Sequence, residues 1–548
     1  MGKLKLYLRR VHAALVGCGF AAGSAWLHAA LRSRAVFRMQ AVCAALAFFA
    51  VPLVFAQTGA PVGGAAGQSY RIAEVEYDIT GRTTDYAISL AIPIDKERVF
   101  ESREYFDEYI EFLGQEFHNL RQLEEASIDV SFGAADENRI IQVSLKITGK
   151  DTFNFIVVPY PKYDSNTGFE MKLRGKDYNF LGTLETFNFE LLYKMQGEDT
   201  SDSYNHVVGL GADYTYPFAL AMFDAKWSND LALSYTFGKN RPGINYTTGL
   251  NLTKPFKRFS VNFGIGQSVS YGYDYNYDKN YPDDSLLLFG ETVTAGMSVR
   301  VATIAKFVDI NFNPYISFGY NWTTGYRANP NTDTPILGAG YAFSGGQINE
   351  VGTNFRKGVF ASIGQSVGYR TRDRYFEPKI VDFNFLAFAA AEYESISTRI
   401  NYFKFIHNGT GGLGGNLRGV RDSQLGVDTV TGAVVVNIDI PIKIFQTDWL
   451  AYKFPKFFRY LNFELQAAPF IDMAFAENPH TGRNYAFKDG WIAGGLEVLV
   501  YPSKWRSLTV RASAGIDLTS FVGSRLFDMS WRESKSKYEI FIGIGKLY

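Results

Sequence analysis

Residues 309–322 read DINFNPYISFGYNW. Ile310, Phe312, Pro314, Ile316, Phe318, Tyr320 and Trp322 fall on one face of an extended chain, and Asp309, Asn311, Asn313, Tyr315, Ser317, Gly319 and Asn321 on the other. Successive side chains of a strand point to opposite sides, so this stretch is a strand with one apolar and one polar face. Residues 508–518 repeat the pattern, with Leu508, Val510, Ala512, Ala514, Ile516 and Leu518 opposing Thr509, Arg511, Ser513, Gly515 and Asp517. A soluble sandwich also alternates, but its strands are usually shorter and its outer face more charged. Long strands with an apolar outer face and a polar, Gly-containing inner face predict a barrel turned inside out for lipid.

Composition agrees. The chain has 548 residues, with 34 Tyr, 46 Phe and 52 Gly, and only 20% of its residues are charged. Its mean hydropathy of −0.09 is too low for a polytopic helical membrane protein. The formal net charge of zero hides a split. Residues 1–56 hold seven Lys/Arg and no acid, which leaves the rest with 48 basic against 55 acidic residues, a net of −7. A mildly acidic body gives no footing for a nucleic-acid partner. The two cysteines, Cys18 and Cys43, also lie within residues 1–56.

That leader reads as a secretory signal peptide. An apolar run at 41–55 follows Arg32, Arg34 and Arg38 and ends in Val54-Phe55-Ala56, so Gln57 is the predicted mature start. A membrane anchor is the alternative, but the run is short of about 20 apolar residues and contains Pro52. Leu15-Val16-Gly17-Cys18 resembles a lipobox behind a short apolar run, and translation starting near Val36 or Met39 would give a leader of ordinary length. Residues 57–69 are Gly/Ala-rich and read as a linker.

Residues 70–150 carry a different pattern. Residues 70–79 alternate as a strand whose apolar members are Ala73, Val75, Tyr77 and Ile79, closed by Gly81. A short helix at 83–91 ends before Pro93. Ser102 caps a second helix, whose Phe106, Tyr109/Ile110, Leu113 and Phe117 recur at three and four residues. Residues 128–132 and 140–147 form a hairpin around 133–138. The order strand–helix–helix–strand–strand over about 80 residues suffices for one small α/β core.

Residues 151–548 contain period-two segments beginning near 152, 168, 182, 204, 226, 243, 257, 285, 307, 357, 380, 429, 461, 490, 506 and 537. The fold predicted is therefore mainly β, a 16-stranded antiparallel transmembrane β-barrel behind one α/β domain. Residues 395–406 (SISTRINYFKFI) are also strand-like, but a seventeenth strand would reverse every later one, so they are assigned to a long loop. Residues 271–284 and 323–352 are expected to be exposed loops.

Several motifs now carry a resemblance. The α/β unit resembles a POTRA domain, the periplasmic module ahead of the barrel in the BamA/TamA superfamily (bacterial surface antigen family). Residues 178–183 (YNFLGT) resemble that family's turn after the second barrel strand. Gly415-Asn416-Leu417-Arg418-Gly419-Val420 resembles its Arg-Gly-aromatic loop motif, with Val420 in the aromatic's place. Pro469-Phe470-Ile471-Asp472 resembles its Phe-x-Asp strand motif, and 490–502 the strand after it. Residues 543–548, ending in Tyr548, resemble a terminal recognition signal. By the strand count above, the Arg418 loop follows strand eleven and Asp472 lies on strand thirteen, as the family plan has it. The family usually places an acid shortly before a Pro on strand twelve, and here Asn437 and Asp439 precede Pro441. It also usually has a Gly in the POTRA helix-to-helix link, and 95–99 lacks one.

The resemblance implies a site. Gly411-Gly412-Leu413-Gly414-Gly415 would let the loop fold back into the lumen, where Arg418 needs carboxylate partners because a confined interior solvates a lone charge poorly. Asp472 is the first candidate and Asp439 the second; a flexible surface loop with a solvated Arg is the alternative. A barrel must close by pairing its first and last strands, which puts Phe155 on one side of the seam and Gly543, Gly545 and Tyr548 on the other. The two glycines either weaken the seam, so that it opens laterally and offers an edge to an incoming strand, or only relieve crowding. The POTRA unit would bind client chains along 128–132 or along its second helix, or else brace the mouth.

Catalysis finds little support. His118, His206, His407 and His480 stand in no metal-binding spacing, no Walker A sequence is present, and no cofactor is implied. The expected role is insertion, assembly or translocation of nascent outer-membrane or secreted proteins in a diderm outer membrane, with the POTRA in the periplasm. Outer-membrane lipid and accessory lipoproteins or chaperones are the further partners. The alternatives are a pore for one dedicated partner, or a passive porin or adhesin.

Overall fold

The computed structural model describes residues 68–164, 168–198, 201–238, 242–271, 287–323, 335–352, 354–372, 374–377, 379–406, 410–413, 417–420, 430–532 and 538–544. The expected leader, most of the linker and the loop tip beyond Tyr271 lie outside the described residues, as do His407, Gly414, Gly415, Gly545 and Tyr548.

The α/β unit comprises β1 (Ser69–Thr80), α1 (Asp85–Ala91), β2 (Val99–Phe100), α2 (Arg103–Asn119), β3 (Leu123–Ala135) and β4 (Ile140–Asp151). Its sheet order is β2-β1-β4-β3, with β1 parallel to β4. Each helix starts where a hydroxyl takes an otherwise unpaired backbone N–H. Ala87 N donates to Thr84 Oγ1 (3.2 Å) and Tyr105 N to Ser102 Oγ (3.1 Å). The predicted apolar face of α2 is buried as Phe106, Tyr109, Leu113 and Phe117, against Ile72, Ile88, Phe100, Val143, Leu145 and Ile147. One detail differs. The register of β1 slips between Ile72 and Glu74, so Ala73 is exposed and Ile72 joins Val75, Tyr77 and Ile79 toward the core. A bulge of this kind switches the alternation that the sequence shows.

The barrel begins with β5 (Phe155–Asp164), β6 (Gly168–Asp177), β7 (Phe187–Glu198), β8 (Ser201–Leu220), β9 (Phe223–Thr236) and β10 (Gly243–Pro255). It continues with β11 (Phe259–Tyr271), β12 (Leu288–Ile304), β13 (Val308–Thr323), β14 (Ile336–Val351), β15 (Phe355–Arg370), β16 (Tyr375–Phe376) and β17 (Lys379–Ala390). It ends with β18 (Ser395–Ile406), β19 (Gly432–Asp439), β20 (Ile442–Gln446), β21 (Phe463–Ala476), β22 (Trp491–Pro502), β23 (Val510–Asp517) and β24 (Tyr538–Ile544). The sheet closes by placing β24 beside β5. Of these twenty segments, β16 and β17 both pair with β15, and β19 and β20 both pair with β21. Each couple is one interrupted strand; Pro441, which has no N–H to donate, separates the second. Among the described residues the wall therefore has eighteen strands, where sixteen were expected.

Two segments expected as loops make the difference. Residues 395–406 are β18, paired with β17 along their whole length. Most of 323–352 is β14, paired with β13 and β15. Its glycines disguise it, and Gly340 shows why they are there: a Cβ at that position would come within 2.6 Å of the Tyr315 ring on β13. Both omissions together preserve an even count. They also move the Arg418 loop behind the thirteenth strand and Asp472 onto the fifteenth. Leu518 leaves the strand pattern, because a short helix, α3 (Leu518–Val522), begins there under an Asp517 cap.

The faces are as the alternation predicts. Val157, Leu173, Leu191, Ile265, Ile316, Leu496 and Ile542 stand exposed on the outer surface. Glu170, Lys172, Arg174 and Glu190 form a linked ion-pair ladder on the other side, with three 2.8 Å contacts.

The α/β unit meets one end of the barrel. Asn179, fully buried in the turn after β6, donates to Thr83 Oγ1 (2.6 Å) and accepts from Leu184 N (2.9 Å). Gly182 in the same turn has φ +76° and packs where a Cβ would strike the Arg82 carbonyl. Farther round, Phe307 of the β12–β13 turn lies among Tyr105, Tyr109 and Phe112, 5.0 Å from the Arg98 guanidinium. Arg121 pairs with Glu350 (3.2 Å) and Asn354 (2.9 Å), and Arg506 donates to the Leu123 carbonyl (2.7 Å).

Candidate functional site

The loop between β18 and β19 enters the lumen. Leu417, Arg418, Gly419 and Val420 are all buried. The guanidinium of Arg418 lies over the Phe470 ring (Cζ 3.8 Å from its centre) and grips Asp472 with two bonds, Nε–Oδ2 at 2.9 Å and Nη2–Oδ1 at 2.7 Å. The Arg418 backbone N–H also donates to Asp472 Oδ2 (2.9 Å). Nη1 reaches Asp439 Oδ1 at 2.6 Å and Glu497 Oε2 at 3.5 Å. A planar fork suits this geometry and a lysine does not, because only a guanidinium donates in parallel to both carboxylate oxygens.

The strands supply the acids by periodicity. Phe470 and Asp472 are two apart on β21 and share its inner face; Asn437 lies opposite Asp472 on β19, and Asp439 is two further on. Glu497 comes from β22 and is held also by Arg511 (3.5 Å), whose guanidinium stacks on Phe541 of β24 (4.4 Å). Sequence reading named Arg418, Asp472 and Asp439, and all three meet here. It missed Glu497, although that residue follows Gly495 at a two-residue step on the strand already singled out.

Gly419 has φ +88°, and a Cβ there would come within 2.7 Å of the Ile516 backbone nitrogen. Gly515 faces it, with its own Cβ position 2.8 Å from the Gly419 Cα. Two glycines thus let the loop lie directly against β23. From there Gly419 N donates to Glu539 Oε2 (2.8 Å), which ties the loop to the last strand, β24. Val420 joins Leu413, Leu417, Val430, Val435 and Trp491 in a buried apolar cluster, where Trp491 supplies the aromatic bulk. The alternative, a flexible surface loop with a solvated Arg, is not what these residues form.

Phe155 points outward on β5 rather than into the seam, and Tyr538, Ile540 and Ile542 do the same on β24. Gly543 lies opposite Arg511 in the β23–β24 register. The α/β unit leaves one edge open: among the described residues β3 pairs only with β4. Its second helix is occupied, because Glu116 accepts from Gln347 Nε2 (2.6 Å) and Gln115 donates to the Glu350 carbonyl (3.0 Å). His480 stacks on Trp531, and among the described residues no group of acids, histidines or cysteines is arranged to hold a metal.

Fold and site together define a closed antiparallel barrel with an apolar outer face, a charged lumen and a loop latched inside it. No protein-family model matches the sequence, and no curated protein matches it. Among solved structures, the chain is similar to CdiB from Escherichia coli (10% identity, 86% of this chain and 76% of that one, TM-score 0.45). It is also similar to CdiB from Acinetobacter baumannii (10%, 86% and 73%, 0.43) and to BamA from Haemophilus ducreyi lacking POTRA domains 1–3 (12%, 86% and 84%, 0.34). None of these superpositions reaches a TM-score of 0.5.

Proposed function

We propose that this chain is an outer-membrane protein that assists the insertion, assembly or translocation of other outer-membrane or secreted proteins, with the α/β unit serving as a periplasmic POTRA domain. The observation that carries the proposal is the Arg418 loop, which binds the wall at Asp472 and Asp439 and the last strand at Glu539. A passive porin gains nothing from a buried loop that braces the strand at its seam. A protein that opens there does, because the latch holds β24 until a client strand replaces its partner. The open edge of β3 gives an arriving chain a backbone ladder to extend, and no nucleotide is needed, since the client's own apolar burial and strand pairing drive the step.

A pore for one dedicated exported partner is the second reading. It is favoured by the single α/β unit ahead of the barrel among the described residues, which gives little avidity for many clients. A disulfide engineered between β5 and β24 tests lateral opening. The oxidised chain is expected to fail to support a host depleted of the native protein, and reductant to restore it; full support by the oxidised chain would overturn the gate.

A further inference from the structure

We propose that the turn between β20 and β21, residues 447–462, is a foot that rests in the phospholipid headgroup layer at the α/β-unit end of the barrel and prefers anionic lipid. The inference rests on the membrane reading above.

The turn reads TDWLAYKFPKFFRYLN, six aromatics with Lys453, Lys456 and Arg459 against the single acid Asp448. It is built, not slack. Trp449 donates from its backbone N–H to Asn462 Oδ1 and from Nε1 to the Leu461 carbonyl, both at 3.0 Å. Phe454 N donates to the Trp449 carbonyl (3.0 Å), and the Phe454 ring packs 5.2 Å from both Trp449 and Phe458. A 3-10 segment, Lys456–Leu461, closes it, and Ser503 N donates to the Asn462 carbonyl (2.8 Å), seating the turn beside the β22–β23 turn.

This ordered turn nevertheless holds its apolar groups outward. Tyr452 is 66% exposed, and Leu450, Phe454 and Leu461 are each more than 40% exposed, beside exposed Lys453 and Lys456. Contiguous apolar surface on a rigid element is unfavourable in water and marks a contact. Two observations say with what. The patch continues the outer belt, since Ile440, Ile442, Ile444 and Phe445 of the adjoining strand stand exposed directly above it. Aromatic rings mixed with lysines also match the headgroup boundary, where rings sit at the water interface and ammonium groups meet lipid phosphates. The α/β unit itself makes side-chain contacts on or beside the β6–β7, β8–β9, β10–β11, β12–β13, β14–β15 and β22–β23 turns.

The sequence's two cysteines, Cys18 and Cys43, precede the described residues. Spin labels at Tyr452→Cys and, separately, Ile316→Cys in a full-length Cys18→Ser, Cys43→Ser background therefore report single positions. The chain is reconstituted in phosphatidylcholine vesicles with and without phosphatidylglycerol, and each label is challenged with oxygen and a water-soluble nickel chelate. The Ile316 label is expected deep in hydrocarbon in both lipids. The Tyr452 label is expected at the headgroup boundary, more shielded from nickel with phosphatidylglycerol, and Lys453→Glu with Lys456→Glu is expected to erase that difference, at about fivefold in lipid preference per lysine. A Tyr452 label open to nickel while the Ile316 label is buried overturns the foot alone. A Tyr452 label shielded from oxygen as well as from nickel shows that protein covers the turn and also overturns it. An Ile316 label in water overturns the membrane reading and the foot with it.

Discussion

Arg418 faces more acid than one guanidinium neutralises: Asp439, Asp472 and Glu497 converge on it, and Arg511 takes a share of Glu497. Removing the cation leaves buried carboxylates without a partner, a loss on the order of 3–5 kcal/mol. Arg418→Ala is therefore expected to lower the barrel's thermal midpoint. Asp472→Ala is expected to cost a similar amount, and the double variant clearly less than the sum, read by heat-modified electrophoretic mobility. Additive losses would mean the two do not act as a pair. Gly515→Ala forces a methyl against the Gly419 backbone and the Phe470 ring, so a loss of about 1–3 kcal/mol is expected from crowding alone. At this scale the sequence showed which strand faces carry acid, because Asp472, Asp439 and Glu497 obey a two-residue step. It did not show Glu539 accepting from Gly419, since a loop's contact with a strand some 120 residues away leaves no periodic trace.

The elements were legible where alternation is strong and opaque where glycine removes it. Strand β13 announces itself, whereas β14 hides behind Gly338, Gly340, Gly345 and Gly346, and β18 was lost to a parity argument rather than to its own pattern. Cysteine at Leu337 or Ile396, both exposed on the outer face, checks the revised assignment. Both are expected to react with a lipid-soluble maleimide and to resist a charged one; the reverse would return these segments to loops. The joint to the α/β unit makes a second prediction. Phe307→Ala empties the box formed by Tyr105, Tyr109, Phe112 and Arg98 and is expected to weaken the joint by about 1–3 kcal/mol, seen as faster proteolysis of residues 95–120 in the intact protein. At the opposite end of the barrel, Ser530 and then Arg483 hold the Asp528 carboxyl down to about 2 from an ordinary 3.8. Its contribution is complete above about pH 3.8 and is lost as pH falls toward 2. Acid loosening of the 518–532 loop, followed by Trp531 fluorescence, is expected to be absent in Asp528→Asn.

For the whole molecule, the charged lumen, the apolar wall and the latched loop make one arrangement. The α/β unit is fastened to turns from β6 round to β23, so under the proposed function a chain arriving at the β3 edge would be held beneath the mouth and near the closing strand. Whether that arrangement serves other proteins is decided most directly by depleting this chain from its host and quantifying the outer-membrane proteome. Loss of many unrelated barrel proteins is the expected result, and loss of one exported protein would narrow the role to a dedicated translocator. An outer-membrane proteome unchanged by depletion would contradict the account.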